Sequence, residues 1–355
     1  MKIRALRVVA PLFLAATVSA WDYHGHRTVN QLALAALPAD FPAFVKEAVA
    51  AERIAFLAGE PDRWRNVDPW LKQNGPSWTD HFLDVEQLEW AGLDARAVPS
   101  LRLDFAVAFA AGRAAHADRF PKIDPARNID GVRQWPGFLP WSLTEWVHKL
   151  RSAFAVLKAF EEMGGTPAEI ANARANVVYT MGILGHYVGD CAQPLHTTEH
   201  YNGWTGPNPR DYTTWRGMHS WVDSGLIAKA GITLDTLRPR VKTPKAFVLG
   251  PRADGRDAAF VIVLDWFLAQ HAQVEPLYQL EKAGKLSNEQ EKKERDRQFP
   301  GSVDPEGRAF VEGQLLRGGE MLAALWLTAW ESAPVDTYLR AQLARRQGSA
   351  DPAGK

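Results

Sequence analysis

Two short stretches of this chain share one spacing: His186 and Asp190 in His186-Tyr187-Val188-Gly189-Asp190, and His219 and Asp223 in His219-Ser220-Trp221-Val222-Asp223. Residues four apart on a helix lie on one face, so each pair projects an imidazole and a carboxylate together. That donor set suits a transition metal. A core-facing His beside an ionised Asp is costly unless something pairs with both. For the first pair a plainer reading also stands, a buried His-Asp hydrogen bond that fixes a helix end. Pro194 ends the helix and leaves His196 in the turn beyond, free to point back. Two His/Asp pairs with His196 between them argue for a polynuclear site. Cys191, one residue past Asp190, points away from the shared face and reads as a small core residue.

Two earlier stretches offer further ligands. Glu60-Pro61-Asp62-Arg63-Trp64-Arg65 precedes Trp78-Thr79-Asp80-His81-Phe82-Leu83-Asp84. Asp62 and His81 brought together would make half of a tetrahedral site, and Arg65 could grip a phosphoryl oxygen bidentately. Taken alone, this stretch reads more readily as a surface Asp-Arg pair. At the other end, Trp21-Asp22-Tyr23-His24-Gly25-His26 follows a possible cleavage point. A freed α-amino group, the Trp21 carbonyl and the His26 imidazole are all competent zinc ligands, although a His near a chain start is ordinarily just solvated.

The elements that must position these groups are helical. Apolar residues recur at three- and four-residue spacing over Val29 to Ala36, Leu103 to Ala115, Trp146 to Phe160, Pro167 to Val188 and Arg308 to Ala333, and strand-like alternation is scarce. The expected fold is all-α, a single multi-helix domain around a metal cleft. Segments rich in Pro, Gly, Asn and charge, around Asp118 to Pro140, Tyr201 to Arg216 and Gly284 to Gly307, separate helices rather than domains. The charge run Lys282 to Arg297 reads as a solvated helix or loop.

Residues 1–20 read as a secretory signal. Lys2, Arg4 and Arg7 precede an almost wholly apolar run from Val8 to Val18, and Val18-Ser19-Ala20 is a small-residue cleavage site. The expectation is an exported protein, secreted or periplasmic, cut between Ala20 and Trp21, with a domain over 21–335 and a tail over 336–355. An uncleaved anchor is the alternative. No later stretch suits a membrane span. Lys plus Arg (41) equals Asp plus Glu (41), so net charge gives no support for tight binding of a polyanion through a broad basic face, and for a phosphorylated substrate metals would have to supply local positive charge. A lone cysteine excludes an intramolecular disulfide, so the fold must rely on its core and on any bound metal.

Taken together, these motifs resemble the type I nuclease branch of the zinc-dependent phospholipase C and nuclease superfamily. The resemblance runs from Trp21 to Asp223 and reaches the last long helix through Gly313-Gln314-Leu315-Leu316-Arg317-Gly318-Gly319. It implies three zinc ions: one on Asp62, His81, His186 and Asp190; one on His196, His219 and Asp223; one on the amino nitrogen and carbonyl oxygen of Trp21 with His26, sharing Asp190 with the first. It implies that Asp62 orients or deprotonates the attacking water and that Arg65 faces the phosphate. Phe82 and Asp84 match positions that hold a base, but a similar run occurs in the lipases. Tyr201 and Trp204, in the stretch His200-Tyr201-Asn202-Gly203-Trp204, are candidate stacking residues, while His200 reads as an ordinary loop residue.

The short interval from Trp21 to His26, Asp223 in place of Glu, and Arg65 all point to the nuclease branch. The chain departs from the family in lacking disulfides and in a longer interval from Asp84 to His186. That interval carries a Trp- and Pro-rich segment around Gln134 to Trp141, which reads equally as a roof over the cleft or as extra packing. The expected activity is hydrolysis of single-stranded RNA or DNA, with 3′-nucleotidase activity as a possible second capability. The substrate would be a nucleic acid or nucleotide, with no stable membrane association and no protein partner implied. A phospholipase C is the first alternative, and a non-catalytic, zinc-stabilised binding protein the second.

Overall fold

The computed structural model describes residues 23–68, 70–71, 76–123, 132–286 and 303–350. The leader, Trp21 and the charge run beyond Leu286 lie outside them. Among the described residues the chain is mostly helical and has no strand, only two isolated bridges. The longer helices are α1 (Tyr23–Ala36), α2 (Ala48–Leu57), α3 (Glu60–Val67), α4 (Arg102–Ala115), α5 (Leu139–Glu162), α6 (Pro167–Ala192), α7 (Ala258–His271), α8 (Pro305–Glu331) and α9 (Thr337–Ala350). No helix among the described residues is long and apolar enough to cross a membrane.

Helix α6 is the centre of the assembly, and its sequence explains both of its ends. Thr166 caps the start: its hydroxyl accepts the Glu169 amide at 3.2 Å while the Glu169 carboxylate accepts the Thr166 amide at 2.7 Å. This reciprocal box, with Pro167 in the first turn, satisfies amides that a helix start otherwise leaves open. At the far end Gln193 takes an extended conformation, as a residue before proline must, and the helix stops at Ala192. From Thr180 to Ala192 every residue is buried, so this half of α6 is enclosed on all sides by α1, α2, α5 and α8.

Close approach to α6 depends on a stripe of small residues. A methyl group built at Gly182 would lie 2.4 Å from Leu57 of α2, one at Gly185 1.7 Å from Asn30 of α1, and one at Gly189 2.4 Å from the His26 ring of α1. Only hydrogen at these positions lets α1 and α2 press against α6. Asn30 fastens the junction, donating from Nδ2 to Ile54 O (2.8 Å) and Gly182 O (3.1 Å).

A second cluster braces the stretch from Thr79 to Asp84. Phe105 of α4 stacks on Trp141 of α5 at 3.8 Å between ring centres, with Phe138, Phe109 and Trp135 packed around them. The Trp- and Pro-rich segment lies alongside Thr79–Asp84 and bonds to it: Phe138 donates to Thr79 O (2.7 Å), Leu139 to Phe82 O (3.1 Å), and Asp84 to Pro136 O (2.7 Å). The segment thus supports the backbone that carries His81, Phe82 and Asp84. Residues 337–350, set apart in the sequence as a tail, form α9, which packs on α5 with Leu343 buried and Arg346 paired to Glu169 at 2.8 Å.

Candidate metal centre

Five further pieces of backbone converge on the C-terminal end of α6. Helix α1 brings His26, α3 brings Asp62 and Arg65, the braced stretch brings His81, and α6 itself brings His186 and Asp190. The 3-10 turn Pro194–Thr197 brings His196, and the segment after Met218 brings His219 and Asp223. All eight of the predicted ligands within the described residues are buried. The ninth, Trp21, lies outside those residues.

The tightest group is a triangle of His81 Nδ1, His186 Nε2 and Asp190 Oδ2, with edges of 3.0, 3.0 and 3.2 Å. Asp62 Oδ1 stands 3.9 Å from His81 Nδ1 and 4.0 Å from His186 Nε2. Ligands around a tetrahedral zinc sit about 3.3 Å apart for bonds of about 2.0 Å, so these atoms are spaced as such a shell requires. The other nitrogen of His186 faces Ala58 O at 2.7 Å, which fixes the ring with Nε2 aimed at the triangle. A carbonyl behind an imidazole is the usual means of setting a ligand's tautomer.

The second group, His196, His219 and Asp223, is built in the same manner. His196 Nδ1 faces His81 O at 2.7 Å, and Leu83 N donates to His196 O at 3.0 Å, so this reciprocal pairing ties the second group to the first. The remaining nitrogen, His196 Nε2, is buried with no hydrogen-bond partner among the described residues, as is Asp190 Oδ1. Buried polar atoms seldom stay unpaired, and their presence in a His/Asp basin fits a metal shell. His219 Nε2 meets Asp223 Oδ2 at 3.0 Å across a π-helical turn, Trp221–Gly225, an irregularity often found at functional sites. The four-residue spacing therefore delivers its pair, but through a widened turn that periodicity does not reveal.

His26 lies beside the first group. Its ring stacks on His186 at 4.1 Å, and its Nε2 lies 3.4 Å from Asp190 Oδ1; by position it also groups with Asp62 and His186. Arg65 donates from Nε to Asp62 Oδ1 at 2.8 Å, its Nη2 lies 2.7 Å from the same oxygen as an ion pair, and Trp78 covers the guanidinium, whose carbon lies 5.2 Å from the indole centre. Three buried His/Asp groups here could hold metal ions.

Burial sets the direction of the charges. It pushes Asp190 up to about 6, and it holds His81 and His196 well below the usual histidine value, helped by nearby Arg65 and by neighbouring imidazoles. Burial would lower His186 and His219 as well, but the Asp190 and Asp223 carboxylates beside them more than offset it, and both are raised. Neutral His81 and His196 are ready to act as donors at neutral pH.

Of the predicted substrate residues, Tyr201 is 46% exposed with its ring 5.8 Å from His219. Trp204 is half-buried: His200 stacks on it at 3.8 Å, and Tyr212 and Tyr278 pack against it. Phe82 and Asp84 are half-buried on the braced stretch, Asp84 held by Gln87 at 2.9 Å. Burial and the Glu86 and Glu199 carboxylates push Asp84 well above the ordinary carboxylate range, which favours its protonated form as a hydrogen-bond donor. Cys191 is fully buried, with its thiol pushed well up by burial.

Sequence reading missed two residues. Gln193, fully buried, donates to Asp223 Oδ1 at 2.6 Å and accepts from Leu195 N at 2.8 Å. Its place immediately before Pro194, between two ligands, was the available signal. Trp78, three residues before His81, had none beyond its aromatic type. Comparison with known protein families and with curated proteins finds no match for this chain.

Proposed function

We propose that this protein is an exported zinc-dependent phosphodiesterase that hydrolyses single-stranded RNA or DNA, and that removal of 3′-phosphates belongs to the same site. The observation that carries this reading is the convergence of His81, His186, Asp190 and Asp62 beside His196, His219 and Asp223, with Arg65 at the edge on Asp62. A structural zinc is satisfied by one four-ligand shell. A basin of linked His/Asp groups with an arginine at its rim suits a reaction at phosphorus.

The proposed complement is three zinc ions, on the first group, on the second, and on His26 with Asp190 and the new amino terminus at Trp21. Bound there, zinc would supply positive charge for phosphoryl oxygens and lower the pKa of coordinated water toward neutrality. The chain's own residues do the rest. Asp62 orients the water and accepts its proton on the carboxylate. Arg65 donates its Nε–H to Asp62 and keeps further N–H groups of its fork for a phosphoryl oxygen, where charge grows as the new bond forms. His186, His196 and His219, each backed by a carbonyl, hold the donor atoms in place and need not reorganise during the reaction.

The reading is tested with purified protein of verified amino terminus, by elemental analysis for zinc and by assay on single-stranded DNA, RNA and phosphatidylcholine vesicles. Cleavage of nucleic acid by zinc-loaded protein, lost on chelation, is expected. Release of phosphocholine with nucleic acid left intact would make it a phospholipase C. Failure to cut any phosphodiester, with metal and melting temperature retained, would leave zinc a purely structural role.

A further inference from the structure

We infer that Trp78 is a base-stacking residue of the cleft, receiving the nucleobase next to the phosphate that Arg65 binds. The inference rests on the nuclease reading and adds to it a residue outside the predicted substrate set.

Trp78 sits on the short helix Pro76–Thr79, which packs against α3. One side of its indole covers the Arg65 guanidinium, and through Arg65 it touches Asp62, so the ring stands at the wall of the metal basin. The contact is unequal. Arg65 is 7% exposed while Trp78 is 40% exposed, so the indole shields the cation from water and still offers a large part of its own surface to solvent. An indole left this open beside a buried arginine has more area than the cation–π contact needs.

The chemistry on the two sides is different and complementary. Arg65 matches a phosphate, and the indole matches a flat aromatic ring attached to that phosphate through one sugar. A nucleotide carries both groups at about that reach. A phosphocholine headgroup offers the phosphate and a quaternary ammonium, which an indole face also attracts, so the choice of a flat ring rests on the nuclease reading. Trp204, predicted for stacking, is covered by His200, Tyr212 and Tyr278, so Trp78 is the more available indole beside the basin.

The test uses zinc-loaded protein and two non-hydrolysed ligands in calorimetric titration: adenosine 5′-monophosphate, and ribose 5-phosphate, which lacks the base. Stacking on an aromatic side chain is worth roughly 5- to 150-fold in affinity. Trp78→Ala should weaken the nucleotide by an amount in that range and leave ribose 5-phosphate within about twofold. Trp78→Leu, which keeps an apolar cover over Arg65 without a π face, should behave like Trp78→Ala, whereas Trp78→Phe should retain most of the nucleotide affinity. Zinc content and melting temperature of each variant establish that the site is intact. Equal weakening of both ligands would overturn the inference, because Trp78 would then act only by holding Arg65. Unchanged nucleotide affinity in Trp78→Ala and Trp78→Leu would overturn it as well. If the unsubstituted protein binds nucleotide no better than ribose 5-phosphate and prefers phosphocholine, the nuclease reading itself fails and the assignment of Trp78 falls with it.

Discussion

Gln193 gives the sharpest test of how the second His/Asp group is held. Its carboxamide is fully buried and uses both ends, Nε2 on Asp223 Oδ1 at 2.6 Å and Oε1 on the Leu195 amide at 2.8 Å. Gln193→Leu nearly preserves volume and removes both bonds. A hydrogen bond to a charged group contributes about 1.5–3 kcal/mol, and a buried amide stripped of its acceptor costs about 1–3 kcal/mol. The metal-free variant should therefore be less stable by roughly 2.5–6 kcal/mol, read from urea unfolding at neutral pH. Because Gln193 orients Asp223, metal affinity at that group should also fall by about 10- to 100-fold in competition with a chromophoric chelator. Gln193→Glu separates the two effects. It can still accept from Leu195, but it sets a second carboxylate against Asp223, so it should lose more stability at about pH 8 than at about pH 5. The reasoning is wrong if Gln193→Leu unfolds within about 0.5 kcal/mol of the natural protein and binds zinc as tightly.

Gly189→Ala would place a methyl 2.4 Å from the buried His26 ring, and overpacking of this kind costs about 1–3 kcal/mol; denaturant unfolding should show the loss, together with reduced zinc content as His26 is pushed from Asp190. Arg65→Lys keeps the charge but loses the fork that can hold Asp62 through Nε and still offer N–H groups to phosphate, so kcat/KM on single-stranded DNA should fall about 100-fold at unchanged zinc content; equal activity would remove Arg65 from the reaction. Burial, and then the Glu86 carboxylate, push Glu199 from 4.5 up to about 7. A carboxyl raised on folding stabilises only while it is protonated, so its contribution is present below about 4.5 and is lost as pH rises through about 7. Glu199→Gln, neutral at every pH, should accordingly melt above the natural protein at about pH 8 and show no such gain at about pH 4, and a gain of the same size at both would contradict the assignment.

The sequence made the helices legible where apolar spacing is regular, and it located the end of α6 because a proline leaves few alternatives. It made most of the ligands legible too, since His and Asp four apart are constrained to one face by helix geometry alone. What it did not disclose depends on contacts between distant segments. The periodic part of α5 begins near Trp146, yet the helix starts at Leu139, because aromatic packing of Phe105, Phe138 and Trp141 extends it back through Pro140. Nothing local foretells that Ala58, His81 and Tyr201 supply the carbonyls behind three imidazoles, since a carbonyl has no side-chain signature. Gly185 and Gly189 likewise read as helix-weakening residues until Asn30 and His26 are seen pressed against them.

The charges of the basin give a reason for expecting cations that does not depend on motif spacing. Asp62, Asp190 and Asp223 are buried together, and Arg65 places its permanent positive charge on Asp62. Protonated imidazoles could supply the balance, but burial and mutual repulsion hold His81 and His196 neutral, while the cost of ionising Asp190 in so dry a setting raises it to about 6. Only His186 and His219, each beside a carboxylate, shift toward the charged form. Protons satisfy the set poorly, because each one taken up by a ring beside a carboxylate adds repulsion among the neighbouring rings. A divalent cation suits both kinds of group, favouring the ionised carboxylate and the neutral imidazole at once. Isolated His-Asp hydrogen bonds would account for His219 with Asp223, or for His186 with Asp190, taken singly. They do not account for His196, whose Nε2 is buried in the same basin with no hydrogen-bond partner among the described residues.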